Sequence, residues 1–486
     1  MKLLKDILYK AGLKDVVGST NQAVDRISFD SREVDKMTAF VAVRGSRVDG
    51  HDFIDQAIEN GCKIVVCERF PDQLQSGVTY VRVESSREAL GIMASNFYDN
   101  PSSDIKLVGV TGTNGKTTTV TLLYQLFKAL GYKCGLISTV VNRIASREVG
   151  ATHTTPDPVV LNRLLAEMVV EGCQYCFMEV SSHAIDQRRI AGLDFAGGVF
   201  TNITHDHLDY HKTFDNYIAA KKQFFDGLSK DAFALVNLDD PHAEIMVQNT
   251  MARVLTYAIK RNADFKAKVM ESDFQGLKLI IGDREVWTHL IGSFNAYNIL
   301  AAYSVAVALG QEPLEVLTMI SNLKPPAGRF QYMRTPEGVI GIVDYAHTPD
   351  ALKNVLQTIN DIRTGNDKII TVVGCGGDRD KEKRPLMAEI ACRLSDKVIL
   401  TSDNPRSEDP ESILNDMEAG LDAVLRRKAL KIPDRKEAIR TAASIAGAGD
   451  IILVAGKGHE TYQEVAGVRH EFDDFKVLNQ ILNQVS

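Results

Sequence analysis

The chain has 486 residues, 44% hydrophobic and 24% charged, an ordinary globular balance at a length that calls for two to four domains rather than one core. Its formal charge of −7 argues against general affinity for nucleic acid, and no uninterrupted apolar stretch reaches bilayer-spanning length, so no membrane insertion is expected. Seven scattered cysteines argue against a disulfide framework, and the start, Met1-Lys-Leu-Leu-Lys-Asp6, lacks a signal-peptide core, so a reducing cytoplasm is the expected compartment.

Three blocks follow in chain order. Residues 1–102 hold short β-rich runs at 39–43, 63–67 and 78–83, then a helix-like stretch over 87–98 and a linker of Asp99, Asn100, Pro101, Ser102 and Ser103. Residues 103–330 open with an apolar run at 105–110, a glycine-rich segment and a helical pattern over 117–130. Apolar runs at 135–137, 176–180, 198–200 and 232–237 then alternate with helical patterns, which predicts βαβ units on a mainly parallel sheet. Lys324-Pro-Pro-Ala-Gly-Arg-Phe330 reads as the second linker. Residues 331–486 repeat the alternation, with strands at 339–344, 368–373, 397–401 and 450–455 and helices at 349–360, 384–393, 411–425 and 436–446. The predicted fold class is α/β in three domains: a smaller N-terminal α/β domain, a central P-loop domain and a C-terminal Rossmann-like domain.

The most informative segment is Gly109-Val-Thr-Gly-Thr-Asn-Gly-Lys-Thr-Thr118. Strand, glycine-rich turn and helix start together make a phosphate cradle, because glycines let the backbone close on phosphates and free amides at a helix start attract anions. Lys116 can reach terminal phosphates and Thr117 can offer its hydroxyl to magnesium. The usual first glycine of such a loop is replaced by Val110, so this is a shorter variant, Gly112-Thr-Asn-Gly-Lys-Thr117. The alternative is an ordinary tight turn that contains lysine. The cradle reading predicts ATP or GTP, with Lys116 on an exposed loop.

Other polar clusters also follow strands, where open α/β sheets bind ligands. Glu179 ends an apolar run; it could bind magnesium beside the phosphate loop or form a surface ion pair. His205-Asp-His207-Leu-Asp-Tyr-His211 could bind zinc, could hold magnesium and phosphate, or could be a solvated polar turn. Cys173 and Cys176 form a lone pair and read as incidental thiols. By helix chemistry alone, Lys221 and Lys222 are solvated helix lysines. Asn295 and Asn298, three apart at a helix start, could bond a base or cap the helix. Arg329 could reach a phosphate from its linker or be solvated there. Gly374-Cys-Gly-Gly-Asp-Arg379 fails the dinucleotide test and reads instead as a loop that binds an anion through Arg379. Two α/β blocks with such edges suggest a reaction in the cleft between them.

Taken together, Thr111-Gly-Thr-Asn-Gly-Lys-Thr-Thr118, Met178-Glu-Val-Ser-Ser-His183, His207-Leu-Asp-Tyr-His211, Ala219-Ala-Lys221, Gly328-Arg329, Asp344-Tyr-Ala-His-Thr-Pro349 and Ala455-Gly-Lys-Gly-His-Glu460 resemble the Mur ligase family, in the family's order and across nearly the whole chain. Asp403-Asn-Pro-Arg406 resembles the acceptor signature of its diaminopimelate-adding members. The resemblance implies that ATP phosphorylates the D-glutamate carboxylate of UDP-N-acetylmuramoyl-L-alanyl-D-glutamate, and that an amine of meso-diaminopimelate attacks the acyl phosphate. It implies an ATP site of Gly112, Thr113, Asn114, Gly115, Lys116, Thr117, Thr118, Asn295, Asn298, Arg329, Asp344 and His347. It places Mg²⁺ at Thr117 and Glu179, a second ion near His207, and a CO₂-derived carbamate on Lys221 that also binds magnesium. It gives the UDP-substrate to Ser31, Ser46, Arg47, Val48, Thr154, Thr155, Ser181, Gln187 and Arg189, and the amino acid to Arg379, Asp403, Asn404, Pro405, Arg406, Gly456 and Glu460. His153 departs from the asparagine of some relatives. A monomer is expected, with domain closure across the 324–330 linker. The alternatives are a lysine-adding or folylpolyglutamate synthetase-like ligase and, in another class, an ATP-switch binding protein.

Overall fold

Apolar runs buried on both faces become parallel strands, and the polar segments between them turn at the strand ends. The protein, seen as a computed structural model, is described over residues 1–45, 48–151, 153–365 and 367–485. Among these described residues, three main sheets carry the three domains.

The N-terminal domain begins with β1 (Lys2–Leu3), β2 (Leu13–Val17), β3 (Ala23–Val24), β4 (Arg26–Ser28), β5 (Thr38–Val41), β6 (Ile64–Cys67) and β7 (Thr79–Val83). A five-stranded sheet runs β2-β7-β6-β5-β4, parallel except at β2, while β1 and β3 form a separate antiparallel pair. The helix Ser86–Phe97 closes this domain, capped by the Ser85 hydroxyl.

The central sheet follows with β8 (Lys106–Thr111), β9 (Cys134–Ile137), β10 (Asn142–Ile144), β11 (Arg147–Val149), β12 (Tyr175–Glu179), β13 (Gly197–Phe200), β14 (Phe233–Asn237), β15 (Arg253–Ala258), β16 (Phe265–Asp273), β17 (Gly276–Ile281) and β18 (Arg284–Thr288). Its order is β11-β10-β9-β12-β8-β13-β14-β15-β16-β17-β18. The run from β9 to β16 is parallel, and antiparallel strands flank it at both ends. Helices Lys116–Ala129 and Ser293–Ala308 pack on one face through Leu123, Phe127 and Ile299. Helices Pro158–Val170 and Phe214–Asp226 cover the other through Leu165, Phe224 and Phe225. β8 is therefore central and covered on both faces, and its loop emerges at the carboxyl edge of the sheet.

The C-terminal domain contains β19 (Gln331–Arg334), β20 (Ile340–Asp344), β21 (Ile369–Val373), β22 (Lys397–Leu400), β23 (Ala429–Lys431) and β24 (Ile451–Ala455), then the hairpin β25 (Tyr462–Val465) and β26 (Val468–Glu471). The sheet order is β19-β20-β24-β21-β22-β23, parallel except at β19. One expected helix is shorter than its sequence pattern. The run over 411–425 is a helix only at Pro410–Glu418; the chain turns at Ala419 and Gly420 and resumes as a 3₁₀ turn at Leu425–Lys428.

A buried ion pair fastens the last two helices to this sheet. Arg435 Nε and Nη2 donate to Asp474 at 2.8 and 2.7 Å, with both side chains fully buried. The same guanidinium donates to the carbonyls of Ser402 (3.3 Å) and Ala455 (3.0 Å), so it braces the exits of β22 and β24. Arg435→Ala would strand a buried carboxylate. A loss of about 3–5 kcal/mol is expected in urea titration, whereas an unchanged midpoint would show that the pair carries no stability.

Candidate active site

The loop after β8 can form only with glycine at position 112. Gly112 has φ +149°, and a Cβ there would lie 1.9 Å from Thr201 Oγ1 on the loop after β13. The two loops interlock: Thr113 N donates to Asn202 O (2.8 Å), Asn114 N to Asn202 Oδ1 (3.0 Å), and Thr201 Oγ1 to Asn114 O (2.7 Å). Gly115, at φ +86°, then turns the chain into the Lys116–Ala129 helix, whose first turn buries Thr117 and Thr118.

Two amines converge on one carbonyl here. Lys116 Nζ donates to Gly112 O (2.9 Å) and Thr113 O (2.8 Å). Lys221 Nζ, from the Phe214–Asp226 helix, donates to the same Gly112 O at 2.9 Å and lies 4.7 Å from the centre of the Tyr217 ring. Lys116 is thus half-buried at a helix start and not on an exposed loop, because its stem folds back over its own loop. Lys221 is 1% exposed, so the solvated-lysine alternative fails for it. Lys222 faces the other way and pairs with Asp226 at 2.7 Å. Burial pushes the Lys116 amine down against the pull of Glu179 and Asp206. Burial, with Lys116 adding to it, pushes the Lys221 amine well below the ordinary lysine value.

Glu179, at the end of β12, is fully buried, so the surface ion-pair alternative fails too. Its Oε1 accepts from Thr117 Oγ1 (2.9 Å) and Thr139 N (2.8 Å), while Oε2 has no partner. A buried carboxylate oxygen without a donor calls for a cation. Thr117 Oγ1 beside it fits a hard ion that takes few protein ligands and shares phosphate oxygens. Arg329 Nη2 donates to Thr117 Oγ1 at 3.2 Å, and its guanidinium carbon lies 4.5 Å from the centre of the Tyr345 ring. Arg329 is therefore docked at the loop.

His207 sits at φ +55° at the start of the short Leu208–His211 helix. Its N–H donates to Asp206 Oδ1 at 2.8 Å, and its ring nitrogen Nε2 lies 3.5 Å from Asp206 Oδ2. Burial holds the imidazole well below its ordinary value, with His183, Lys116 and Lys221 adding to the effect against Asp206. His205 stacks on Phe214 and His211 bonds Ser182 Oγ. Among the described residues no three His, Cys, Asp or Glu side chains converge on a metal position, so the zinc alternative lacks a ligand set. Cys173 and Cys176 are buried free thiols.

A polar wall continues from Glu179. Thr139 Oγ1 donates to Thr154 Oγ1 (3.0 Å), and Thr155 Oγ1 donates to Glu179 O (2.8 Å) and accepts from Ser181 N (3.2 Å). Arg189 donates to Thr155 O (2.8 Å) and Gln187 Oε1 (2.8 Å). Ser31 lies in the N-terminal domain, where it donates to Gln56 Oε1 at 2.8 Å, and Val48 is exposed. Among the described residues neither is hydrogen-bonded to this wall; Ser46 and Arg47 lie outside them. Asn295 Nδ2 donates to Ile291 O (2.7 Å) and Asn298 Nδ2 to Asn295 Oδ1 (2.8 Å). Both are buried and neither side chain caps the helix, whose N-cap is Gly292.

The C-terminal domain meets the phosphate loop directly. Asp350 Oδ2 accepts from Asn114 Nδ2 (2.9 Å) and Thr204 Oγ1 (3.3 Å). Asp344, ending β20, accepts Phe330 N at 2.7 Å, and burial raises its carboxyl against the pull of Arg329. His347 pairs with Tyr345 O at 2.8 Å, and burial with Lys383 nearby drives it down to about 4. Beyond lies the loop after β22. Asp403 is buried, and a Cβ at Gly456 would lie 2.5 Å from its Oδ2. Asn404 Nδ2 donates to Glu460 Oε2 (2.7 Å), and buried Lys457 Nζ donates to Asn404 Oδ1 (3.2 Å) and Glu460 Oε2 (3.1 Å). Pro405 is buried, and Arg406 Nη1 donates to Gly377 O at 2.7 Å. Arg379, on the neighbouring loop, is exposed, with Nη1 3.3 Å from Asp378 O.

Sequence reasoning missed Asp350, Lys457 and Asn202, whereas Asp206 lay inside the His205–His211 candidate. Lys457 lay inside the quoted Gly456-Lys-Gly-His-Glu460 cluster and could have been singled out. Asp350 reads as an acid in a helix's first turn, and its cross-domain partners have no local signature.

Three family models match the chain: "Mur ligase family, catalytic domain" over residues 23–98, "Mur ligase middle domain" over 110–306, and "Mur ligase, glutamate ligase domain" over 328–458. Relatives named UDP-N-acetylmuramoyl-L-alanyl-D-glutamate–2,6-diaminopimelate ligase include those of Cytophaga hutchinsonii, 57% identical over 99% of both chains, and Phocaeicola vulgatus, 55% identical over 99% of both. A solved structure carrying the same name aligns with a TM-score of 0.70 and 32% identity over 98% of each chain.

Lys116→Ala is expected to cut nucleotide-dependent phosphate release by about 10²–10³-fold while circular dichroism shows an intact fold. Near-normal release from a folded variant would remove this loop from the chemistry.

Proposed function

The chain belongs to the Mur ligase family, and we propose that it is the ATP-dependent ligase that joins meso-2,6-diaminopimelate to the D-glutamate of UDP-N-acetylmuramoyl-L-alanyl-D-glutamate in peptidoglycan precursor synthesis. One observation carries the reading. A phosphate loop and an Asp403-Asn-Pro-Arg406 loop sit on the strand ends of two sheets that are joined at Thr117–Arg329 and Asn114–Asp350.

ATP transfers its γ-phosphoryl group to the D-glutamate carboxylate. The acyl phosphate is attacked at carbon by an amine of diaminopimelate, and phosphate leaves from the tetrahedral intermediate. Each step builds or moves negative charge, so fixed cations matter most. Lys116, with the loop of Gly112, Thr113, Asn114, Gly115, Thr117 and Thr118, would hold the phosphates; the Thr113 and Asn114 amides are bonded to Asn202 and shape the loop. Glu179 Oε2 and Thr117 would hold magnesium, with His207 near a second ion; magnesium when bound supplies Lewis-acid charge to phosphate oxygens. Arg329 would reach the phosphates, and Asn295, Asn298, Asp344 and His347 would line the nucleoside. Lys221 as a neutral amine can add CO₂ and release a proton, which turns a surplus cation into an anion for magnesium; its burial beside Lys116 supports this. Thr154, Thr155, Ser181, Gln187 and Arg189 would face the muramoyl-dipeptide, and Ser31, Ser46, Arg47 and Val48 its UDP end. Arg379, Asp403, Asn404, Pro405, Arg406, Gly456 and Glu460 would hold the incoming amino acid. On this reading residues 1–102 bind UDP, 103–330 bind ATP and 331–486 bind the acceptor. One chain supplies all three surfaces, which fits a monomer, and seven buried free thiols with an ATP requirement fit the cytoplasm.

Phosphate release with the UDP-dipeptide against a panel of amino acids tests the reading. Diaminopimelate should be the preferred acceptor, lysine should be poor, and no turnover with any acceptor would favour an ATP-switch protein. Arg406→Ala removes a charge-assisted pair to the distal carboxylate, so diaminopimelate efficiency should fall roughly tenfold to hundredfold while lysine efficiency changes little. Equal losses on both acceptors would sink the acceptor assignment. Lys221→Ala should be severely impaired and partly restored by a short carboxylate in the buffer; a fully active variant would exclude the carbamate.

A further inference from the structure

The Asp403–Arg406 loop is not held by its own domain's sheet alone. A hairpin that lies beyond the third matched segment, which stops at residue 458, braces it. β25 and β26 join through a two-residue turn, Ala466 (φ +50°) and Gly467 (φ +78°), with Val465 opposite Val468. Both turn residues have positive φ, which suits a tight hairpin. β25 then runs parallel to the loop as an added strand, bridged from Arg406 to Val465. Arg406 N donates to Glu464 O (3.0 Å), and Ala466 N donates to Arg406 O (2.7 Å). Glu464 N donates to Asn404 Oδ1 (2.9 Å), and Gln463 Nε2 donates to Asp403 O (2.8 Å).

These bonds fix an uncommon backbone. Arg406 sits at φ +53°, a left-handed conformation that a side-chain-bearing residue keeps only when its surroundings impose it. Pro405 restrains the residue before it. The direction of the Arg406 side chain therefore follows from the hairpin and not from local preference. Its Nη1 donates to Gly377 O at 2.7 Å, which restrains the guanidinium. A guanidinium grips a carboxylate with two parallel bonds only when its plane is set correctly.

We propose that the Tyr462–Glu471 hairpin determines acceptor selectivity and that Gln463 is its positioning residue, holding the loop so that Arg406 meets the distal carboxylate of a diamino dicarboxylic acid. The inference rests on the acceptor reading above. Gln463 touches the Asp403 carbonyl and not Arg406, so it acts through the loop. Among the described residues it is the one side chain of β25 that donates to the backbone of that loop, whereas the other hairpin ties run through backbone atoms of Glu464 and Ala466.

The experiment compares steady-state constants for diaminopimelate and lysine in the parent, Gln463→Ala, Gln463→Glu and Gln463→Lys, with melting temperature measured alongside. Gln463→Glu keeps length but loses the donor, and Gln463→Lys restores one. In the Ala and Glu variants, KM for diaminopimelate should rise roughly five- to tenfold, with kcat, the lysine constants and KM for ATP and the UDP-dipeptide little changed. Gln463→Lys should recover part of the loss. A diaminopimelate-to-lysine ratio equal to the parent's in both the Ala and Glu variants would overturn the proposal, whether or not melting falls. A parent with no preference for diaminopimelate would instead overturn the acceptor reading, and this inference with it.

Discussion

Two lysine amines sharing one carbonyl oxygen set the terms for the centre of this protein. Lys116 and Lys221 both donate to Gly112 O at 2.9 Å. Like charges this close disfavour each other, and burial disfavours both. The arrangement is relieved by an anion or by loss of a proton. The geometry in turn needs Gly112, since a methyl group there would collide with Thr201. A missing side chain on one loop thus permits the charge density of the whole site.

Around that centre the second and third domains are held together by specific contacts between loops and helices at their strand ends. Asp350 accepts from the phosphate loop, from Thr204 and from its own helix through Asn354. The segment between the second and third domains is anchored and is not a free linker: Lys324 exchanges two hydrogen bonds with Gln125 on the phosphate-loop helix, and Arg329 reaches Thr117. A reaction through an acyl phosphate needs water kept away, and a cleft closed by side chains on both walls serves that need.

The Asp403–Arg406 side of the third domain relies on buried charge. Lys457 is fully buried and is compensated by Asn404 and Glu460. Arg435 is fully buried and is compensated by Asp474 and two strand-end carbonyls. Unpaired, either cation would be costly; paired, each fixes the direction of a loop that leaves the sheet.

The sequence by itself determined the local elements and the chemistry of the loops. Buried parallel strands such as Ile369–Val373 and Ile451–Ala455 are continuous apolar runs, and their ends coincide with Gly-, Asp- and His-rich clusters, so strand and site are legible together. The antiparallel extension formed by β16, β17 and β18 from Phe265 to Thr288 was not legible, because Phe265–Asp273 is half exposed and mixes lysine and glutamate with its apolar positions. The β25–β26 hairpin escaped for the same reason, since its strands bury little and β25 takes partners from the Asp403–Arg406 loop. Only the tertiary structure decided which polar residues meet. Lys221 has the sequence of a solvated helix lysine, and its burial follows from packing of the Phe214–Asp226 helix against β8. Glu179 becomes a carboxylate with one oxygen bonded and one unpartnered only when β12 lies beside β8. Contacts across 212 or 236 residues, such as Arg329 with Thr117 and Asn114 with Asp350, leave no periodicity in the chain, because they arise from the placement of domains and not from the geometry of any one helix or strand.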